Sequence, residues 1–295
     1  MRARVVVVLT ALMAESAAFV SAVGAPNRTP MRIWPLGDSI TFGFSAPQPT
    51  PGGYRTALDQ MLGEAGIAHH FVGNWSANSS ATLDVQDQSR HDGHNGYRVD
   101  QVRSDLDGRA GGSSDLGGRW LIRPGAAGAL NPDVVLIHLG TNDIFQRWDT
   151  RAFRTRDHHA DLGSATQRAL FVADLTHRLS DLVLRIHELR PRAEVVVATV
   201  VPIDLPVLAD TAAAYAVAVR QLVSKLRSQR LPVALADAYA AFMRGAPPGD
   251  RVAPGLLCPD AVHPTAAGYA LLAHTFASVL EGLTLPMSAS TGERP

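Results

Sequence analysis

Apolar and polar positions follow two alternating rhythms along this chain. Short runs that are apolar nearly throughout, rich in β-branched residues and bounded by Gly, Pro or polar clusters, occur at 31–37, 68–73, 132–140, 193–202 and 231–238. These read as five strands. Stretches with apolar residues every three or four positions occupy 54–66, 97–106, 167–191, 212–229 and 265–283. They read as helices that bury one face. "PDVVLIHLG" (132–140) is the strongest strand, because both of its faces are apolar, as a central parallel strand requires. Strand and helix alternating in this way predict an α/β fold: a five-stranded parallel sheet covered by helices on both faces. Ligands of such sheets bind beyond the carboxyl ends of the strands. Residues 74–96, the glycine-rich 107–118 and residues 145–163 show no clear period and read as loops, and the tail 288–295 reads as disordered. No internal repeat or domain boundary interrupts the pattern, so 26–287 is expected to be a single domain.

Composition narrows the range of functions. The chain has 295 residues, 46% of them hydrophobic and 18% charged, which fits a globular protein with a sizeable core. Twenty-seven basic residues balance 27 acidic ones, so nothing favours electrostatic capture of nucleic acid or of a membrane surface. Lys225 is the only lysine, which reads as genome composition rather than function. At the N-terminus, Arg2 and Arg4 precede the apolar run Val5–Met13, and small residues at Val23 and Ala25 precede Pro26. Residues 1–25 are therefore expected to be a signal peptide and the protein to be secreted, although Glu15 interrupts the apolar stretch. Cys258 is the only cysteine, which rules out an intramolecular disulfide and a cysteine-based zinc site. It reads as a small buried apolar residue. Asn27, Asn74 and Asn78 each begin an Asn-x-Ser/Thr sequon.

Four local patterns carry candidate chemistry. "GDSIT" follows the first strand and places Ser39 where a nucleophile or a simple turn residue could stand. The second glycine of a G-x-S-x-G elbow is missing, because Thr41 occupies that position. "GTND" (140–143) follows the strongest strand, and the Asn142 amide there could donate to an oxyanion. An ordinary turn reads equally well from Gly, Asn and Asp. "DAVHP" (260–264) sets Asp260 three residues before His263 at a helix entrance. That spacing lets the carboxylate reach Nδ1 and leaves Nε2 free to accept a proton. A structural histidine is the alternative. In "HDGHNGYRVDQV" (91–102), Gly96 stands just before a predicted helix, where a backbone N–H could meet an oxyanion. His91, Asp92 and His94 offer metal-ligand chemistry, but no third ligand of known position accompanies the histidines, and they read as structural.

Taken together in this order, "GDSIT", Gly96, "GTND" and "DAVHP" resemble the GDSL/SGNH hydrolase superfamily from Met31 to about Leu283. "GGYR" (52–55), "FVG" (71–73) and "VVLIHLGTNDI" further resemble its secreted, acetylxylan-type carbohydrate esterases. The resemblance implies a flavodoxin-like three-layer α/β/α sandwich and serine esterase chemistry without a cofactor or metal. It makes Ser39 the nucleophile, His263 the base and Asp260 its orienting acid. Ser39, Gly96 and Asn142 become the oxyanion donors. Asp92 stands where this branch would lead one to expect glutamate. The resemblance implies removal of acetyl groups from a polysaccharide or oligosaccharide. A lipase or lysophospholipase with the same triad is the alternative enzyme, and a catalytically silent carbohydrate-binding protein the alternative outside enzymes. No stable membrane association is expected.

Overall fold

Period-two alternation in the strands sorts their side chains onto the two faces of one sheet. In the computed structural model, which describes residues 29–107, 120–121, 130–146, 164–247, 249 and 251–284, the elements follow the expected alternation. They are β1 (Met31–Gly37), α1 (Ser39–Phe42), α2 (Tyr54–Glu64), β2 (His69–Phe71), α3 (Ala81–Val85), β3 (Asp92–Gly93), α4 (Val99–Asp107) and β4 (Val134–His138). After these come α5 (Thr141–Gln146), α6 (Ala165–Leu189), β5 (Glu194–Ala198), α7 (Pro206–Ser228), β6 (Val233–Ala236), α8 (Ala238–Met243) and α9 (Ala266–Thr284). The expected signal peptide, the Asn27 sequon, most of the glycine-rich stretch, residues 147–163 and the tail lie outside the described residues.

Trp34, Leu36, Val135, Ile137, Val195 and Val197 pack on one face with the buried sides of α4, α6 and α7. Ile33, Val134, Leu136, Val196 and Ala198 pack on the other with α2, α8 and α9. The result is the expected three-layer α/β/α sandwich. All strand pairs are parallel, in the order β2-β1-β4-β5-β6. The sixth strand, β3, is two residues long and pairs with the end of β1 at Leu36 and Gly37. It lies in the segment 74–96 that has no sequence period. Two residues cannot display one.

Pro35 sits inside a strand paired on both sides, a place where a missing N–H normally costs a ladder bond. Here β2 pairs with β1 only as far as Ile33, and β3 joins at Leu36. Ile33 O accepts from Val72 N and Gly37 O from His94 N, so Pro35 faces the same edge, in the gap between the two short strands.

The helices that carry the chemistry differ most from expectation. Residues 141–146 form a helix rather than a turn leading into a loop, and α4 begins at Val99 rather than Tyr97. Gly96 therefore stands three residues before the helix, and the helix N-terminus does not supply its N–H as an anion donor. The α7 helix starts six residues earlier than its apolar period suggests, with Pro206 in its first turn, where the missing N–H costs nothing. Among the described residues, no helix is long and apolar enough to cross a membrane.

Candidate active site

The sheet order reverses between β1 and β4, and the crevice beyond their carboxyl ends is where open α/β sheets bind ligands. Ser39 follows β1 and Asn142 follows β4, so the two flank that crevice. Asp38 caps the four-residue helix α1 by accepting from Ile40 N at 2.9 Å, which sets Ser39 at the first helical position. Gly37 lets α1 fold back closely: a Cβ there would lie 2.3 Å from Thr41 Oγ1 and 2.5 Å from His138 O. The other end of α1 is held by Arg55, which is fully buried and donates to the carbonyls of Thr41, Phe42, Asn78 and Ser89. Burial lowers its pKa to about 10. In the sequence "GGYR" carries only a resemblance; in the fold its arginine is the clasp of the serine helix.

His263 arrives on the tight turn before α9. Cys258 N donates to His263 O at 2.8 Å, and the Cys258 thiol is buried against Pro264 O. His263 Nε2 lies 2.9 Å from Ser39 Oγ, and its Nδ1 lies 2.6 Å from Asp260 Oδ2. Asp260 Oδ1 accepts from Val262 N at 3.0 Å and His263 N at 2.9 Å, so the carboxylate is tied to the backbone that carries the ring. Burial pushes the Asp260 carboxyl up, but these N–H bonds and the imidazole outweigh it and hold the group below the ordinary carboxylate value. The ring of Phe44 packs against His263 with centroids 4.6 Å apart, and the Phe44 carbonyl is fixed by Tyr269 Oη.

Across the crevice, Asn142 Nδ2 donates to Tyr97 O at 3.0 Å. An amide has two N–H donors, so one remains for a ligand. Ser39, Gly96, Asn142, Asp260 and His263, all singled out from sequence, line a single cavity of about 300 Å³. Phe44, Asn95, Thr141, Phe145 and Val262 complete the wall. Phe44 and Phe145, 40% and 37% exposed, are the only aromatic side chains among the large apolar ones exposed in the described residues. Neither is marked by any local motif.

His91 and His94 lie outside this cavity. His91 accepts from Gly93 N through Nδ1 and donates to Ala77 O through Nε2, and burial lowers its pKa to about 2. His94 is sandwiched between the rings of Trp75 and Trp120. Asp92 accepts from Trp34 Nε1 and from Asn74. No group of three metal-ligating side chains occurs among the described residues. Two sequon asparagines are occupied internally: Asn74 Nδ2 donates to buried Asp92, and Asn78 Nδ2 to Phe42 O and Gly43 O. A glycan replaces one of the two amide hydrogens, so on Asn78, whose Nδ2 makes two bonds, it would cost one of them.

Beneath Ser39 lies a buried polar pair, whose members stand in "GDSIT" and "VVLIHLGTNDI" but whose pairing no motif announces. Asp38 and His138 are both fully buried, with Asp38 Oδ1 4.0 Å from His138 Nδ1. Val201 N donates to His138 Nε2 at 3.3 Å, which leaves the proton on Nδ1, facing Asp38. Burial raises the Asp38 pKa to about 7 and lowers that of His138 to about 4, so both favour their neutral forms. A raised carboxyl pKa contributes stability that is complete below the unfolded value and is lost as pH rises through about 7. Depressed His138 acts oppositely, losing stability as pH falls from about 6.5 toward 4. Asp38→Asn is expected to remove the Asp38 contribution, so that its melting temperature relative to wild type rises from pH 4 to pH 8, an effect on the order of a few kcal/mol. Parallel melting profiles of variant and wild type would exclude this role for Asp38.

The profile of the GDSL-like lipase/acylhydrolase family matches residues 36–271, a span that takes in the last two residues of β1, the serine helix, α5 and the Asp260–His263 turn. The chain belongs to the GDSL-like lipase/acylhydrolase family. It is thus a carboxylic ester hydrolase. No curated protein matches the chain, but solved structures do. This acylhydrolase is similar to a family 3 carbohydrate esterase of Clostridium thermocellum, with 23% identity over 86% of this chain and 99% of the other, at a TM-score of 0.58. It is similar to a family 3 carbohydrate esterase of Talaromyces cellulolyticus at 20% identity, 86% and 97% coverage and a TM-score of 0.58. A catalytic mutant of an acetylxylan esterase from Geobacillus stearothermophilus matches at 19% identity, 84% and 93% coverage and a TM-score of 0.53. These likenesses agree with the sandwich derived above.

Proposed function

We propose that the protein is a secreted serine esterase that removes acetyl groups from a polysaccharide or oligosaccharide by a two-step acyl transfer. The observation that carries the reading is the Asp260–His263–Ser39 relay, with contacts of 2.6 and 2.9 Å. His263 Nε2 takes the proton of Ser39 Oγ as the oxygen attacks the ester carbonyl. The Ser39 and Gly96 N–H groups and the free N–H of Asn142 receive the oxyanion. Collapse breaks the ester C–O bond, and the departing alcohol takes its proton from His263. Water then enters, gives a proton to His263 and attacks the acyl-enzyme. The acid leaves as the proton returns to Ser39, so the enzyme ends as it began.

Three features support the acetylated-sugar reading. The fold neighbours named above are carbohydrate and acetylxylan esterases. The exposed rings of Phe44 and Phe145 beside Ser39 offer flat apolar surfaces suited to the C–H faces of a sugar ring. An export signal at 1–25 would bring the enzyme to an extracellular polymer. The same apolar walls, with Val262, would also accept the alkyl chain of a lipid ester, which keeps a lipase as the second reading.

A chain-length series of p-nitrophenyl esters, run beside acetylated xylan and a lysophospholipid, separates the two. Highest kcat/KM on the acetate with acetate release from the xylan is expected. Preference for octanoate or longer with phospholipid turnover would transfer the assignment to a lipase, and no turnover on any ester would point to a binding protein.

A further inference from the structure

Three side chains of α5 reach one short stretch of backbone. Asn142 Nδ2 donates to Tyr97 O at 3.0 Å, Asp143 Oδ2 accepts from Val99 N at 3.1 Å, and Gln146 Nε2 donates to Gly96 O at 2.9 Å. Asn142 and Gln146 stand one helical turn apart, so a single helix face grips two consecutive carbonyls. Asp143 is anchored from behind by Arg178 of α6 at 2.9 Å. None of this involves the serine, histidine or aspartate of the relay.

The grip matters because of what Gly96 is. Its φ is +77°, while a Cβ there would come no closer than 3.9 Å to any atom, so glycine serves the backbone conformation and not a steric need. Glycine is also the residue whose φ and ψ are softest. A donor carried on it is preorganised only if something else holds the chain. The peptide between Gly96 and Tyr97 is held at both ends: Tyr97 N donates to His94 O at 3.1 Å, and Gly96 O accepts from Gln146. Gln146 is itself oriented, because its Oε1 accepts from Arg98 Nη1 at 2.9 Å and Arg98 is paired with Asp100. Turning the amide over would set donor against donor and carbonyl against carbonyl.

We propose that Gln146 is a positioning residue for the oxyanion hole: it holds the Gly96 carbonyl while the Tyr97 N to His94 O bond closes the turn, and together these restrain the Asn95–Gly96 peptide that carries the Gly96 N–H. The inference rests on the reading of Gly96 and Asn142 as oxyanion donors. It gives Gln146 a role in the chemical step and none in substrate affinity, since an oxyanion forms only after the Michaelis complex.

Gln146→Glu makes the sharpest test. It keeps the length of the side chain and the bond to Arg98 but turns the donor facing Gly96 into an acceptor. Gln146→Met, which removes both polar atoms and keeps the bulk, serves as the second variant should the carboxylate disturb folding. On p-nitrophenyl acetate, kcat is expected to fall about tenfold with KM within about twofold of wild type, and affinity for a tetrahedral boronate inhibitor to fall by the same factor as kcat. Melting temperature should stay near that of the wild type. Asn142→Ala, measured alongside, is expected to lose about 100-fold in kcat. Wild-type kcat in both Gln146 variants beside an impaired Asn142→Ala would overturn the positioning role. A loss confined to KM, or one matched by loss of folded protein, would overturn it as well. Full activity in Asn142→Ala would remove the oxyanion reading and this inference with it.

Discussion

Ser39→Ala is expected to lower kcat on acetate esters by about a million-fold, the scale reached when the nucleophile of a serine hydrolase relay is removed. The reasoning is local. Among the described residues, Ser39 Oγ is the one hydrogen-bond partner of the imidazole Nε2, at 2.9 Å, and it lines the cavity. Ser39 is 7% exposed, and its Oγ contacts no other group in the relay, so alanine removes the attacking atom without opening the core. The variant should keep the wild-type circular dichroism and melting temperature. Turnover within about a hundredfold of wild type in a folded Ser39→Ala protein would rule out the acyl-enzyme mechanism.

Asp260→Asn is expected to cost about 10,000-fold in kcat while the turn keeps its shape. Asparagine retains an oxygen for the Val262 and His263 N–H groups that Asp260 Oδ1 now receives. Its amide nitrogen then faces His263 Nδ1 in place of Oδ2. An N–H donor there selects the tautomer with its proton on Nε2, and that nitrogen can no longer accept from Ser39. Because the Asp260 carboxyl is held below the ordinary carboxylate value, its charge is present throughout the neutral range and is lost only as pH falls through that lowered value. The measurement is kcat against pH for both proteins. Less than a tenfold loss at neutral pH would mean that Asp260 neither orients nor stabilises the imidazolium.

How far the site could be read in advance depended on the range of the interactions involved. The hydrogen-bonded grouping of Asp260, His263 and Ser39 was legible because Asp260 and His263 lie three residues apart and Ser39 sits directly after a strand. Asn142 was legible for the same reason, although its helix was not: α5 is six residues long, too short for a 3.6-residue period to show. Gly96 was singled out for a helix N-terminus that begins only at Val99. Arg55, Asp38 and His138 lie inside quoted motifs but receive no role from them, and Gln146 lies outside every motif. Their partners stand 14, 100 and 50 positions away, and only the folded chain brings them together.

By itself, the sequence determined the layered α/β fold, since the two hydrophobic periods dictate which faces must be buried and which neighbours can bury them. It also determined the chemical types available at the strand ends: a hydroxyl, an imidazole with its carboxylate, and an amide. The tertiary structure alone decided their aim. Register at β1 and β4 sets Ser39 and Asn142 on either side of one crevice, and a fully buried arginine clamps the serine helix. A side chain from α5 steadies a glycine 50 residues earlier in the chain. Periodicity encodes burial, which a residue expresses through its near neighbours. Orientation to within a hydrogen bond depends on contacts between distant segments, and these exist only once the sheet has closed.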